Sequence, residues 1–250
     1  MNASFTAEVH QWMEAALAGD LYISSFRPLR LQLMRDLQEV EGMGPMTPMR
    51  YMYVRTVGGI SAEGFHEKRE IMLVKFIEPQ TYGDVASLRF TEDEGDAEAM
   101  LERFALGDAV LVSGTVGELL KVRRGDTVRL RTNRGERDFE VAGVIQDFFQ
   151  GGRAMYGSWS DMERYFGEDK ATLFMARVES GAEVSQVKQQ LEEGLAKSRH
   201  LEVESGEEAR AEMERATSQV FAMFGAVIWI AIIVAGLGVT NTVTMGVLER

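Results

Sequence analysis

Residues 220–239, VFAMFGAVIWIAIIVAGLGV, carry no charged side chain, and the uncharged run extends from Ala216 to Leu248 in a chain whose formal net charge is −12. A stretch of this kind cannot be left facing water. It is covered either by the interior of a folded domain or by lipid, and length separates the two. About 18 uncharged, predominantly apolar residues suffice to cross a bilayer, and interior helices are usually shorter. The run therefore predicts a transmembrane helix over residues 220–247. Upstream, residues 207–219 read as a stalk helix whose narrow apolar stripe is formed by Ala209, Met213, Ala216 and Val220. No proline interrupts residues 207–247, so stalk and span are expected to form one continuous helix of roughly 60 Å.

The composition of the run supports a membrane setting. Gly225, Gly236 and Gly238 would weaken a helix exposed to water, whereas small residues let membrane helices approach closely. Ala231 and Ala235 form a small-xxx-small pair, and Asn241 supplies a polar group able to bond to a partner helix or the backbone. These six residues are the candidate helix-packing positions.

The hydrophilic part contains two stretches of similar order. Residues 20–26 (DLYISSF) read as a strand. Pro28 opens a helical pattern with Leu31, Met34, Leu37 and Val40 on one face, and residues 49–55 (MRYMYVR) read as a strand again. Near the end, residues 172–179 are a strand. Val184, Val187, Leu191 and Leu195 mark one face of a helix, and residues 200–205 are a strand. Two β-α-β units whose helices each have one apolar face can share a single sheet.

Between them lies a β-rich stretch. Residues 71–79 and 109–113 read as strands, and residues 114–122 as a helical turn. The clearest hairpin follows, with Val128 and Leu130 inward, a turn at residues 133–135, and Phe139, Val141 and Ile145 returning. Ser160 and Glu163 read as a capping box for a short helix, and the glycines of residues 58–64 as a loop. The fold class is α+β. Residues 1–19 form a helical lead-in, and residues 20–60 and 158–206 one subdomain. Residues 61–157 form an inserted β-rich subdomain.

Several chemistries are excluded or unsupported. The acidic balance argues against nucleic acid, since a phosphate backbone is bound by clustered cations. The densest basic cluster, Lys121 to Arg134, falls around the predicted hairpin and reads as a solvated strand face. There are no cysteines, so no disulfide framework, thiolate metal site or Cys nucleophile is available. The three histidines are scattered singly, and no metal site is expected. No phosphate-binding G-x-x-x-x-G-K-[ST] loop occurs, and no cofactor or catalytic residue is expected. The N-terminal residues lack the basic start and apolar middle of a signal peptide. Export is therefore expected to depend on a preceding segment.

Residues 110–148, VLVSGTVGELLKVRRGDTVRLRTNRGERDFEVAGVIQDF, resemble the extracytoplasmic domain of FtsX-like, MacB-type ABC transporter permeases, in which a strand ending in Ser leads to a helix and then to a Gly-Asp hairpin. Gly125, Asp126, Gly135 and Gly143 carry that match. Residues 234–250, VAGLGVTNTVTMGVLER, are similar to the family's second transmembrane helix and its Glu-Arg before a cytoplasmic turn. Residues 19–25 are similar to the family's first extracytoplasmic strand. The resemblance implies two porter-like β-α-β units with an inserted β-rich subdomain and residues 1 to about 215 outside a bacterial or archaeal cell membrane. It also implies work with a cytoplasmic ATP-binding subunit and a second permease subunit, which transmits ATP-driven movement to the ectodomain. ATP hydrolysis would belong to the separate subunit, and an extracytoplasmic cargo or accessory protein would complete the assembly. The chain is then part of a larger permease. A membrane-anchored binding or sensing domain without an ATPase partner is the alternative.

Overall fold

The computed structural model describes residues 11–91 and 96–215, with positions 219, 227, 229–232, 234 and 235. The chain divides into two units between Gly206 and Glu207.

The first unit is built on one ten-stranded sheet. Its strands are β1 (Leu21–Arg30), β2 (Met43–Ser61), β3 (Gly64–Glu67), β4 (Ile71–Ile77), β5 (Ala109–Ser113), β6 (Thr127–Thr132), β7 (Gly135–Ile145), β8 (Ala154–Ser158), β9 (Lys170–Val178) and β10 (Leu201–Ser205). Among the described residues, helices that accompany them include α1 (Leu33–Gln38), α2 (Pro79–Val85), α3 (Ala97–Ala105), α4 (Gly114–Leu120) and α5 (Val184–Leu191). The strand order is β10-β1-β9-β2-β4-β8-β5-β7-β6, and β6 pairs again with β2. Strands β2, β4, β8, β5, β7 and β6 thus close into a circuit. Strands β10, β1 and β9 extend the sheet from the other end of β2.

β2 is long enough to serve both parts. Its beginning, from Met43 to Met49, pairs with β9. Met49 to Arg55 pairs with β4, and Arg55 to Ile60 with β6.

Alternation along the strands explains why so little of the sheet is wet. On β4, Met72, Val74 and Phe76 join a core cluster with Val110, Val112, Val128, Leu130, Phe139 and Val141. Leu73, Lys75 and Ile77 point the other way and are buried as well. A sheet buried on both faces reads as a nearly continuous apolar run, which is what IMLVKFI is. On β1 and β9, Leu21, Ile23, Phe174 and Ala176 cluster with Leu33 and Leu37 of α1 and with Val187 and Leu191 of α5. The i, i+4 spacing in each helix places both side chains on one face, and each such burial contributes about 1.5–3 kcal/mol.

Three local expectations are corrected. Pro28 does not open a helix. β1 continues to Arg30, where Leu29 and Arg30 pair with Ala171 and Lys170, and α1 begins only at Leu33. The glycines at 58–64 are not a loop, because Gly58 to Ser61 pair with β3. At Gly59 the backbone of β2 passes so close to α4 that a Cβ would lie 2.3 Å from the Leu120 carbonyl oxygen. Ser160 and Glu163 form no capping box. The helical turn starts at Trp159 after Ser158, and the Glu163 carboxylate instead accepts from Trp159 Nε1 at 3.0 Å. Strands β3 and β8 and helix α2 were not anticipated.

In the second unit, residues 207–215 and the further described positions are helical. Ala209 and Met213 are half-buried, while Val227, Trp229, Ile230, Ile232 and Val234 are exposed, as are Ala231 and Ala235. Gly225, Gly236, Gly238, Asn241, Ala216 and Val220 lie outside the described residues, as does most of the expected span over 220–247. Among the described residues, no helix is long and apolar enough to cross a membrane.

Candidate functional site

The most unusual chemistry in the first unit sits where β2, β4 and β8 run side by side. Register places Tyr51 opposite Lys75, and Lys75 opposite Tyr156. All three share one face of the sheet. Lys75 is 4% exposed, and Asp147 5%. Lys75 Nζ donates to Asp147 Oδ2 at 2.7 Å and to the Tyr156 hydroxyl at 3.2 Å. Tyr156 donates to the same carboxylate oxygen at 2.9 Å, while Asp147 Oδ1 accepts from the Phe149 backbone N–H at 2.6 Å. Lys75 Nζ also lies 4.6 Å from the centre of the Phe149 ring, within cation–π range.

Burial lowers the Lys75 ammonium below the usual lysine range, and the attraction of Asp147 opposes that shift. Burial also pushes the Tyr82 and Tyr156 phenols up, so both remain donors at neutral pH. The arrangement ties β4 and β8 to the connector after β7, where Gln150, Gly151 and Gly152 all have positive φ. It fixes backbone. Trp12 packs edge-on against Phe148 at 5.8 Å, and Tyr51 lies 6.1 Å from Phe149. The same connector is thus held by aromatic rings as well.

Sequence reasoning missed this cluster, although a signal existed. Lys75 is the lone charge in an apolar run, IMLVKFI, and a lysine there needs a buried counter-charge. The identity of that counter-charge, 72 positions away, is not written locally.

The hairpin residues singled out from sequence occupy positions that demand their types. Gly125 and Gly135 have φ +86° and +99°, in the left-handed region that favours glycine. Asp126 Oδ2 accepts from the Arg123 backbone N–H at 2.8 Å and closes the turn before β6. At Gly143, a Cβ would meet Met100 Sδ at 2.5 Å, so glycine there lets α3 approach β7. On the outer face of the hairpin, Arg129 holds Asp138 through bonds of 2.6 and 2.8 Å. That bonding keeps the Asp138 carboxyl below its ordinary range. Ser113, at the end of β5, caps α4 by accepting from the Val116 N–H at 3.2 Å, and it also donates to the Gly152 carbonyl. Gly125 and Gly135 act through backbone geometry, Asp126 through its carboxylate and Gly143 through close packing, and the structure gathers none of them around Lys75 and Asp147.

The chain superposes on the periplasmic region of MacB from Actinobacillus actinomycetemcomitans with a TM-score of 0.56 at 13% identity, covering 82% of this chain and 98% of that one. It likewise resembles the extracellular domain of the noncanonic ABC-type transporter YknZ from Gram-positive bacteria, with a TM-score of 0.55 at 16% identity, over 74% of this chain and 99% of that one. At these identities the likeness is one of fold. No curated protein matches the chain. The family model of the MacB-like periplasmic core domain matches residues 3–193. A mixed α/β fold, the Gly-Asp hairpin and this match over most of its length place the chain in the MacB-like periplasmic core domain family.

Proposed function

We propose that the chain is the extracytoplasmic domain and a transmembrane helix of an FtsX-like permease subunit, and that it transmits movement driven by a cytoplasmic ATP-binding subunit to the far side of the membrane. Membership of the periplasmic core domain family over residues 3–193 carries this reading. In it, residues 220–247 span the bilayer and residues 207–219 form the stalk. Residues 20–60 and 158–206 are the porter-like subdomain, and residues 61–157 the insert. The pairing of β10, β1, β9 and the start of β2 supports the first of these subdomains, and the closed circuit through β6 supports the second. Because β2 belongs to both, displacement of one part is carried to the other along a single hydrogen-bonded strand and not through a flexible linker. A second permease subunit and an extracytoplasmic cargo or accessory protein complete the assembly. The chain itself performs no catalysis.

Two experiments test this. The chain lacks cysteine, so single reporters are clean. Glu63→Cys is expected to react with a membrane-impermeant maleimide in intact cells, and Arg250→Cys only after permeabilisation; the reverse pattern refutes the topology. A Gly-Pro insertion beside Thr217 is expected to leave ATP hydrolysis by the partner subunit intact while transport is lost. Unchanged transport would refute the lever.

A further inference from the structure

β1 contains a bulge between Ser24 and Leu29. Ser24 pairs with Leu173, yet the next β1 residue paired with β9 is Leu29, opposite Ala171. The intervening residues leave the pairing with β9, although Ser25 still pairs with Leu201 of β10, and Phe26 just beyond it is 100% exposed. The bulge is held in shape. Ser25 Oγ donates to the His200 carbonyl oxygen at 2.9 Å, and Arg27 N approaches the same hydroxyl at 3.5 Å. Bulges of this kind re-aim a side chain, and here an aromatic ring is aimed at solvent.

Beside the ring runs a groove of about 690 Å³ between β1, α1 and the start of β10. Leu29 and Leu33 are buried at its floor, and Leu201 is half-buried. Its rim is basic. Arg27 and Arg30 are exposed and make no ion pair among the described residues, while Arg199 is held by Asp36 at 3.2 Å. Arg30 sits directly opposite Lys170 on the adjacent strand. A like-charged cross-strand pair is unfavourable.

We infer that the Phe26 bulge and its groove dock an acidic, apolar-containing segment of a separate extracytoplasmic protein, with Phe26 as the aromatic anchor, Arg27 and Arg30 as the charge-reading rim, and Lys170 beside Arg30 on the neighbouring strand. Aromatic residues and arginine are enriched at protein interfaces, and an acidic segment relieves the Arg30–Lys170 repulsion. A lipid headgroup would also bring negative charge, but position argues against it. Leu21 pairs with Ser205 where the first unit ends, and Gly206 N donates to the Asp20 carbonyl oxygen beside it. Phe26 emerges at the opposite end of the β1–β10 pair from that junction, about 16 Å along the strand, and a headgroup by itself offers nothing apolar to Leu29, Leu33 and Leu201. This step rests on the proposed membrane topology.

The test replaces Phe26 by the photo-cross-linker p-benzoylphenylalanine in the full chain, expressed in its own host beside the Glu63→Cys reporter. Tyr53, also exposed, serves as the control position. The expected result is a light-dependent adduct at position 26, and not at 53, with a different polypeptide whose cross-linked segment is acidic and apolar. That adduct should fall about tenfold in an Arg30→Glu/Lys170→Glu background and by a smaller factor with Arg30→Gln/Lys170→Gln. Unchanged folding of each variant is checked by its thermal transition. An adduct with a second copy of this chain, with lipid alone, or one insensitive to the charge changes overturns the inference. Maleimide labelling without any adduct overturns the docking site and leaves the topology standing. Absence of labelling overturns both.

Discussion

Lys75 Nζ and Asp147 Oδ2 lie 2.7 Å apart with both side chains enclosed, at 5% and 0% exposure. A buried pair of this kind is costly to break, because the surviving charge stays in a low-dielectric site without its partner. Lys75→Met or Asp147→Asn alone is therefore expected to destabilise the first unit by about 3–5 kcal/mol. The double variant Lys75→Met/Asp147→Leu should recover most of that loss. Urea denaturation followed by circular dichroism measures all three, and additive losses in the double variant would show that the two residues do not act as a pair.

The same lysine makes a prediction about pH. Its native pKa is lowered from 10.5 by burial. Between the lowered native value and the unfolded one, the unfolded chain still holds a proton that the native state has released. Stability from this group thus rises with pH across that window and is flat below it. Tyr82 and Tyr156, raised by burial, act in the opposite sense only above about pH 10, where unfolded tyrosine ionises. A denaturation series on the alkaline side should show the rise in the parent chain. Lys75→Met should lack it.

Two glycines should respond in opposite directions to the same change. At Gly59 a Cβ would lie 2.3 Å from the Leu120 carbonyl oxygen and 2.5 Å from Val122 Cγ1. Gly59→Ala is expected to cost about 1–3 kcal/mol through forced backbone displacement. Gly83, within α2, is exposed and has nothing within 4 Å of such a Cβ. Gly83→Ala should stabilise by about 0.5–1 kcal/mol through the lower entropy of the unfolded chain. Thermal melting distinguishes the signs.

Ser113 joins two elements through one hydroxyl, capping α4 and donating to the Gly152 carbonyl. Ser113→Ala should cost about 1–2 kcal/mol from the lost cap alone. It should also raise amide exchange at residues 149–153 above that of β5. Exchange unchanged in that connector would limit the role of Ser113 to the helix.

All ten strands lie in the first unit. A chain ended at Gly206 is therefore expected to keep them and to remain monodisperse in plain buffer. The full chain should require detergent. Sedimentation of the two forms checks this, and a detergent-free monomer of the full chain would refute the membrane role of its apolar run.

What could be read from residues alone was whatever is written in neighbouring positions. The helix face of Val187 and Leu191, the alternation of Val128, Leu130, Phe139 and Val141, and the turn at Gly135 all depend on spacings of a few residues. Periodicity reports these directly, and it also marked the unbroken apolar run from Val220. The Gly-Asp hairpin indicated the family only jointly with the residues that close the apolar run.

Tertiary structure decided what depends on residues far apart in sequence. Pro28 lies inside a strand because Leu29 found Ala171 as its partner, and Gly58 and Gly59 are strand residues because Glu67 and His66 pair with them. Lys75 is tolerated because Asp147, on a distant connector, reaches it. Strand pairing and charge compensation are settled by which surfaces meet in space. Short-range spacing along the chain carries no record of those meetings.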